Sequence, residues 1–135
     1  MSTAFAVLGA AAGFAALELA DAHLFKPQGM SCMCPPLGAV AVLLFAMPAA
    51  PASKASNVLI GHLLSSLVAL LVVTYLPAEY AIFAKGTAVA ASIGVMTLTG
   101  TTHPPAGAYA FLFVAQKMVS DARFEPAIPR LHVIC

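Results

Sequence analysis

The chain has 135 residues, 61% of them hydrophobic and only 8% charged, with a net charge of +1. Soluble chains carry roughly 25% charged residues, so six basic and five acidic side chains do not cover a water-facing surface on a body of this size. This composition excludes an ordinary soluble enzyme domain. The lack of a basic stripe excludes a nucleic-acid partner, and the solvent it implies is a lipid bilayer.

The first apolar segment covers residues 3–20 (TAFAVLGAAAGFAALELA). It is just long enough to span, since ~20 residues cross a ~30 Å hydrocarbon core. No basic region precedes it, so it is not read as a cleaved signal. Gly9, Ala10, Ala12 and Gly13 form a small-residue face of the kind that lets membrane helices approach closely. Glu18 and Asp21 end the segment, and His23 and Lys26 are placed at the interface. A broken stretch, PQGMSCMCPP, follows from Pro27 to Pro36. It feeds a short apolar run over residues 37–46, stopped by Pro48 and Pro51, which reads as a half-helix.

The clearest spanning helix is predicted over residues 58–76, with Ser56 or Asn57 as its N-cap. Tyr75 and Tyr80 fit an interfacial belt. A third spanning helix is predicted over residues 81–99, its Lys85 able to snorkel. It gives way to a polar patch, Thr97 to His103. Pro104 and Pro105 then open a second short apolar run, residues 105–115. Residues 1–115 are read as one membrane domain and residues 116–135 as a polar tail. Cys32, Cys34 and Cys135 do not make a disulfide framework.

The two short runs match each other. PPLGAVAVLLF starts at Pro35 and PPAGAYAFLFV starts at Pro104. At a constant offset, Pro35, Pro36, Gly38, Ala39, Ala41 and Leu43 coincide with Pro104, Pro105, Gly107, Ala108, Ala110 and Leu112. Paired, Gly/Pro-interrupted short segments in two halves point to a transporter binding site. If the runs complete broken spanning helices the repeat is inverted. If they re-enter, the copies come from the same side. The sequence leaves both open. The fold class is an all-α membrane protein with about three spanning helices plus two half-helices in this internal repeat.

Proline suits the first turn of a helix, whose N–H groups have no internal partner. The residues behind each pair, Gly38 with Ala39 and Gly107 with Ala108, bring backbone N–H groups and the positive end of a helix dipole to one place, which favours an anion. His103 at the mouth of the second run is an ionisable residue inside a membrane and thus a site residue, with Thr102 beside it in the polar patch. His62 lies within the second spanning helix, with Asn57 before it and Ser65 and Ser66 after it. A site role and simple interhelical hydrogen bonding are both open to it. Met30, Cys32, Met33 and Cys34 are soft ligands of the type that take Cu(I), so copper handling is a rival reading. No nucleotide loop, zinc spacing or catalytic carboxylate pair is present. The chain is expected not to be an enzyme and to need no metal or other cofactor.

At TTHPPAGA, Thr101 to Ala108, the chain resembles the HPP family of integral membrane proteins. PPLGAVAVLLFAMP, Pro35 to Pro48, and SNVLIGHLLSSL, Ser56 to Leu67, agree with that family, and the resemblance covers about residues 4–115. It implies four membrane helices and transport, with nitrite the substrate associated with plastid-envelope members. It singles out Pro36, Gly38, Ala39, Asn57, Gly61, His62, His103, Pro104, Pro105, Gly107 and Ala108. It implies residence in the plastid envelope for a plant or algal chain, or in the inner (plasma) membrane for a bacterial one. Family members carry another long apolar helix where this chain has ARFEPAIPRLHVIC, so a truncated end is expected. The expected function is transport or channelling of a small anion such as nitrite by a homo-oligomer. The rivals are a non-transporting membrane subunit packed through Gly/Ala faces and the copper reading.

Overall fold

A computed structural model describes residues 2–120, and every regular element among them is helical. Helix α1 spans Thr3–Ala20 and continues through a π turn, Asp21–Phe25, and a 3-10 turn, Lys26–Gln28. It therefore runs past the end predicted at residue 20, making a 26-residue apolar rod. Asp21 does not break it, because that carboxylate is satisfied by the loop that follows. Gly29 stops it at φ 71°, donating to Lys26 O while Met30 N–H bonds Phe25 O. This is a Schellman stop, and its left-handed position is one that glycine takes without a Cβ penalty.

Helix α2 spans Pro36–Ala41 and is prolonged by a π turn, Val42–Ala46. It fits the half-helix predicted over residues 37–46. Helix α3 spans Ala55–Tyr75 and helix α4 spans Ala81–Leu98, close to their predicted bounds. Neither Ser56 nor Asn57 caps α3. Lys54 holds the N-cap position without a side-chain bond, and Asn57 donates backwards to Pro51 O at 3.0 Å. Gly100, at φ 66°, closes α4 with a second Schellman pair, Gly100 N–H to Thr97 O and Thr101 N–H to Met96 O.

Helix α5 spans Pro104–Ser120, 17 residues and about 25 Å long. The half-helix predicted to end at residue 115 is too short, and residues 116–120 belong to the helix and not to a tail. The reason is amphipathic: Gln116 and Lys117 face outward while Ala115 and Met118 are buried, so the turn pays its way in packing. The rest of the predicted tail, residues 121–135, lies outside the described residues.

Helices α3, α4 and α5 pack together as the core. Residues on their inner faces recur about every four positions: Asn57, Gly61, Ser65, Ala69 and Val73 on α3, and Ala81, Ala84, Ala88, Ser92 and Met96 on α4. Ala106, Ala110, Val114 and Met118 do the same on α5. The large apolar side chains point the other way, with Leu59 at 72% and Ile82 at 79% exposure. The chain is thus sorted by size rather than by polarity. Water would drive Leu and Ile inward. Lipid exerts no such drive, and small residues win the interior because they allow close approach. Three helices, α1 with its extension, α3 and α4, are long and apolar enough to cross a membrane.

Helix α1 lies outside this trio and touches mainly the end of α2. Its glycine face receives the Phe45 ring: a Cβ at Gly9 would sit 2.6 Å from Phe45 Cδ1. An apolar cavity of about 210 Å³ remains between Phe14 and Leu17 of α1 and Val40, Leu44 and Phe45 of α2.

Candidate functional site

The short turn between α2 and α3, Pro51–Ser53, is the hub around which the polar residues gather. Ser53 Oγ is 2.8 Å from both Leu43 O and Met47 O, so its single hydroxyl proton is shared between two carbonyls at the end of α2. Asn57 of α3 donates to Pro51 O. His103, in the link between α4 and α5, donates from Nδ1 to Ala52 O at 2.8 Å. A carbonyl accepts only, so Nδ1 must carry the proton. The two helices that flank the turn, and the α4–α5 link some fifty residues further along the chain, are thereby tied to it.

His103 is fully buried, and its Nε2 has no hydrogen-bond partner. The neutral ring with Nδ1–H leaves Nε2 as a bare lone pair. A buried polar atom without a partner costs about 1–3 kcal/mol, which makes His103 Nε2 a candidate contact for a water or a ligand; Ser92 Oγ on α4 is buried and unpartnered in the same way. Close packing sets the ring's position: a Cβ on Gly61 would meet His103 Cβ at 2.9 Å, Thr101 O at 3.1 Å and Met96 Sδ at 3.4 Å. Gly61 is therefore the notch in α3 into which the α4–α5 link settles.

His62, one residue on, lies beside His103 with ring centroids 5.0 Å apart. Its Nδ1 donates to Val58 O at 2.8 Å, one turn back on α3. Tyr109 of α5 stands edge-on to His62 at 5.9 Å. Tyr109 also lines a cavity of about 350 Å³ with Ser31, Cys32, Met33, Cys34 and Gln116.

The loop over that cavity is held by Asp21. This carboxylate accepts from Ser31 Oγ at 2.8 Å and Cys32 N–H at 2.7 Å, and pairs with Lys26 at 3.4 Å. Cys32 Sγ lies 3.8 Å from Leu17 O. Desolvation and the neighbouring Asp21 push the Cys32 thiol above its ordinary range. Among the described residues no three His, Cys, Asp or Glu side chains are placed to share a metal ion.

The other residues singled out in the sequence divide into two sets. Pro36, Pro105 and Gly107 are buried, whereas Gly38, Ala39, Thr102, Pro104 and Ala108 are exposed. Several first-turn donors are already engaged: Leu37 N–H bonds Cys34 O, Gly38 N–H bonds Pro35 O, and Ala106 N–H bonds His103 O. The geometry brings together His103, His62 and, through the turn, Asn57. Sequence reasoning missed Tyr109 and Ser53. Tyr109 stands within the second Pro-Pro segment as its one residue with a hydroxyl, which was a usable signal. Ser53 carried none.

Residues 1–130 match the family model described as HPP, transmembrane region. The chain belongs to the HPP transmembrane family. A protein of Dictyostelium discoideum described as a transmembrane protein is 35% identical over 78 residues, covering 56% of this chain and 27% of that relative. The match thus spans about a quarter of the relative's length. No solved structure matches the chain. Membership together with three span-length apolar helices makes this an integral membrane protein. The three residues of the HPP motif have separate tasks here. His103 ties the link to the Pro51–Ser53 turn, Pro104 starts α5 on its exposed side, and Pro105 packs inward.

Proposed function

We propose that this HPP-family chain is a transporter or channel for a small anion such as nitrite, and that His103 is the group the anion meets. One observation carries the reading: a wholly buried imidazole with an unpartnered Nε2, set between α3 and the start of α5. An ionisable group buried among membrane-spanning helices is a candidate for a transport path or relay. The N-terminus of α5 adds partial positive charge directly beyond it. His62 and Tyr109 extend a polar line from His103 to the cavity under the Ser31–Cys34 loop. The line contains no nucleophile–base pair, which favours transport over catalysis.

With so few span-length helices to wall it, the pathway is completed in a homo-oligomer. The membrane of residence is the plastid envelope in a plant or alga and the plasma membrane in a bacterium. Purified protein in liposomes tests the reading through uptake of nitrite, nitrate and formate. Saturable uptake of nitrite that disappears in His103→Asn is expected. Vesicles that take up none of the three anions beyond the protein-free level overturn the proposal in favour of a non-transporting subunit.

A further inference from the structure

The geometry points to proton coupling: the anion enters the His103 site only together with a proton, which His103 Nε2 receives on the side of His62. This deepens the transport reading above and rests on it.

Hydrogen-bond accounting carries the inference. Nδ1–H of His103 is committed to Ala52 O, so the resting ring offers a lone pair at Nε2. Nitrite, nitrate and formate also present only lone pairs. Two acceptors facing each other in a dry site repel, so the resting site cannot hold the anion. A proton on Nε2 changes both facts, because the imidazolium donates from both nitrogens. It also becomes a cation that the interior does not tolerate alone. The anion supplies the missing countercharge. Proton and anion each make the site acceptable to the other, and the pair crosses as a neutral unit.

Among the described residues no other cation is placed against His103 for this task. The titratable neighbours of His103 are His62 on α3 and, beyond it, Tyr109 on α5. From α4, Met96 Sδ reaches the same Gly61 notch that His103 occupies. Lys54, next to the Pro51–Ser53 turn, is exposed, Lys85 Nζ stands over the Phe111 ring at 5.5 Å, and Lys26 pairs with Asp21.

His62 is the route for the proton. Its own Nδ1–H is committed to Val58 O, which leaves its Nε2 as an acceptor too. It is half-buried, whereas His103 is fully buried. Its ring adjoins both His103 and Tyr109, which reaches the 350 Å³ cavity. A hydronium ion from the outside solution delivers a proton through that cavity and is left as water, His62 passes the proton inward, and Nε2 of His103 holds it until the anion leaves. The proton departs with the anion, and no bond between heavy atoms forms or breaks.

Proteoliposomes with a lumenal pH dye and a potassium–valinomycin clamp test this with nitrite. Undissociated acid crossing the lipid is measured in protein-free vesicles and subtracted. The expected result is uptake driven by an inward pH gradient at zero potential, with no net current and one proton per anion. Uptake that follows the membrane potential and leaves lumenal pH unchanged overturns the coupling while the transport reading stands. Absence of uptake under either force overturns both.

His103→Asn keeps an amide N–H to reach Ala52 O but lacks Nε2. It is expected to elute as a folded protein with flux at background. His62→Asn keeps the bond to Val58 O and is expected to slow the flux and flatten its dependence on outside pH. If both variants retain the proton stoichiometry and rate, the assignment fails.

Discussion

The two Pro-Pro segments start alike and end differently. From Pro35 and from Pro104 the chain repeats Pro-Pro-x-Gly-Ala-x-Ala, and in both cases a helix begins at the pair. The first helix gives out after Ala41 into a π turn and buries only Pro36 and Val40. The second runs to Ser120 and buries a face that recurs along its length. Local chemistry is the same, since proline fixes the first turn in each. Their neighbours differ. Ala110 and Val114 sit in one buried cluster with Ala69 and Val73 of α3 and Ala84 and Ala88 of α4, whereas the first segment has only its few turns against α5 and, through Phe45, the glycine face of α1, a helix with no buried residue. The motif starts a helix; a partner with small residues at matching spacing decides how far it continues.

The strongest way to break this contrast is at the glycines. Gly61→Ala drives a Cβ against His103 and the Thr101 carbonyl, with destabilisation of about 1–3 kcal/mol expected for overpacking. Gly38→Ala meets nothing within 4 Å and is expected to be neutral or to stabilise by under about 1 kcal/mol through helix propensity. Thermal loss of monodisperse elution in detergent measures both. Equal effects at the two glycines would sink the distinction between core and edge.

The next effect is at the hub. Asn57→Ala leaves Pro51 O without its donor and is expected to cost about 1 kcal/mol in the same assay. No change would mean that the turn is held by Ser53 and His103 alone.

A smaller effect is expected at the edge. Gly9→Ala crowds the Phe45 ring, a side chain that can swing aside, so the loss stays under about 1 kcal/mol. Phe45→Leu should restore the lost stability, and an unrestored double variant would show that α1 and α2 do not meet there.

The smallest effect concerns reactivity rather than stability. The Cys32 thiol is pushed upward by desolvation and by Asp21. The thiolate is the reactive form, so Cys32 should alkylate more slowly than an ordinary thiol near neutral pH, gain rate as pH rises, and speed up in Asp21→Asn. A fast, pH-independent reaction of Cys32 would contradict this placement.

Most of the helices were legible in the sequence because their signals are local. Apolar length marked α1, α3 and α4, and Pro-Pro marked the starts of α2 and α5. The errors fell where a tertiary partner overrides a local signal. Asp21 reads as a helix end, yet Ser31 and Cys32 satisfy it and the rod continues to Gln28. Gln116 and Lys117 read as tail, yet burial of Met118 keeps α5 helical. Asn57 reads as a cap, yet it bonds a carbonyl outside its helix. The site was half legible: His62 and His103 stand out as ionisable groups in apolar sequence, whereas Ser53 and Tyr109 acquire their roles only from the fold. The expectation of amide donors behind Pro35-Pro36 met a local obstacle, since Leu37 and Gly38 N–H groups are used within their own turn.

The state of His103 Nε2 is the most direct test of the account. Nitrogen NMR of the protein labelled at histidine, with the His103 signals identified by their loss in His103→Asn, reads the protons on each ring nitrogen. Without ligand the account predicts a neutral ring protonated at Nδ1 alone; on adding nitrite at mildly acidic pH, both nitrogens become protonated together. A resting ring protonated at Nε2, or a ring that nitrite leaves unchanged, would contradict it.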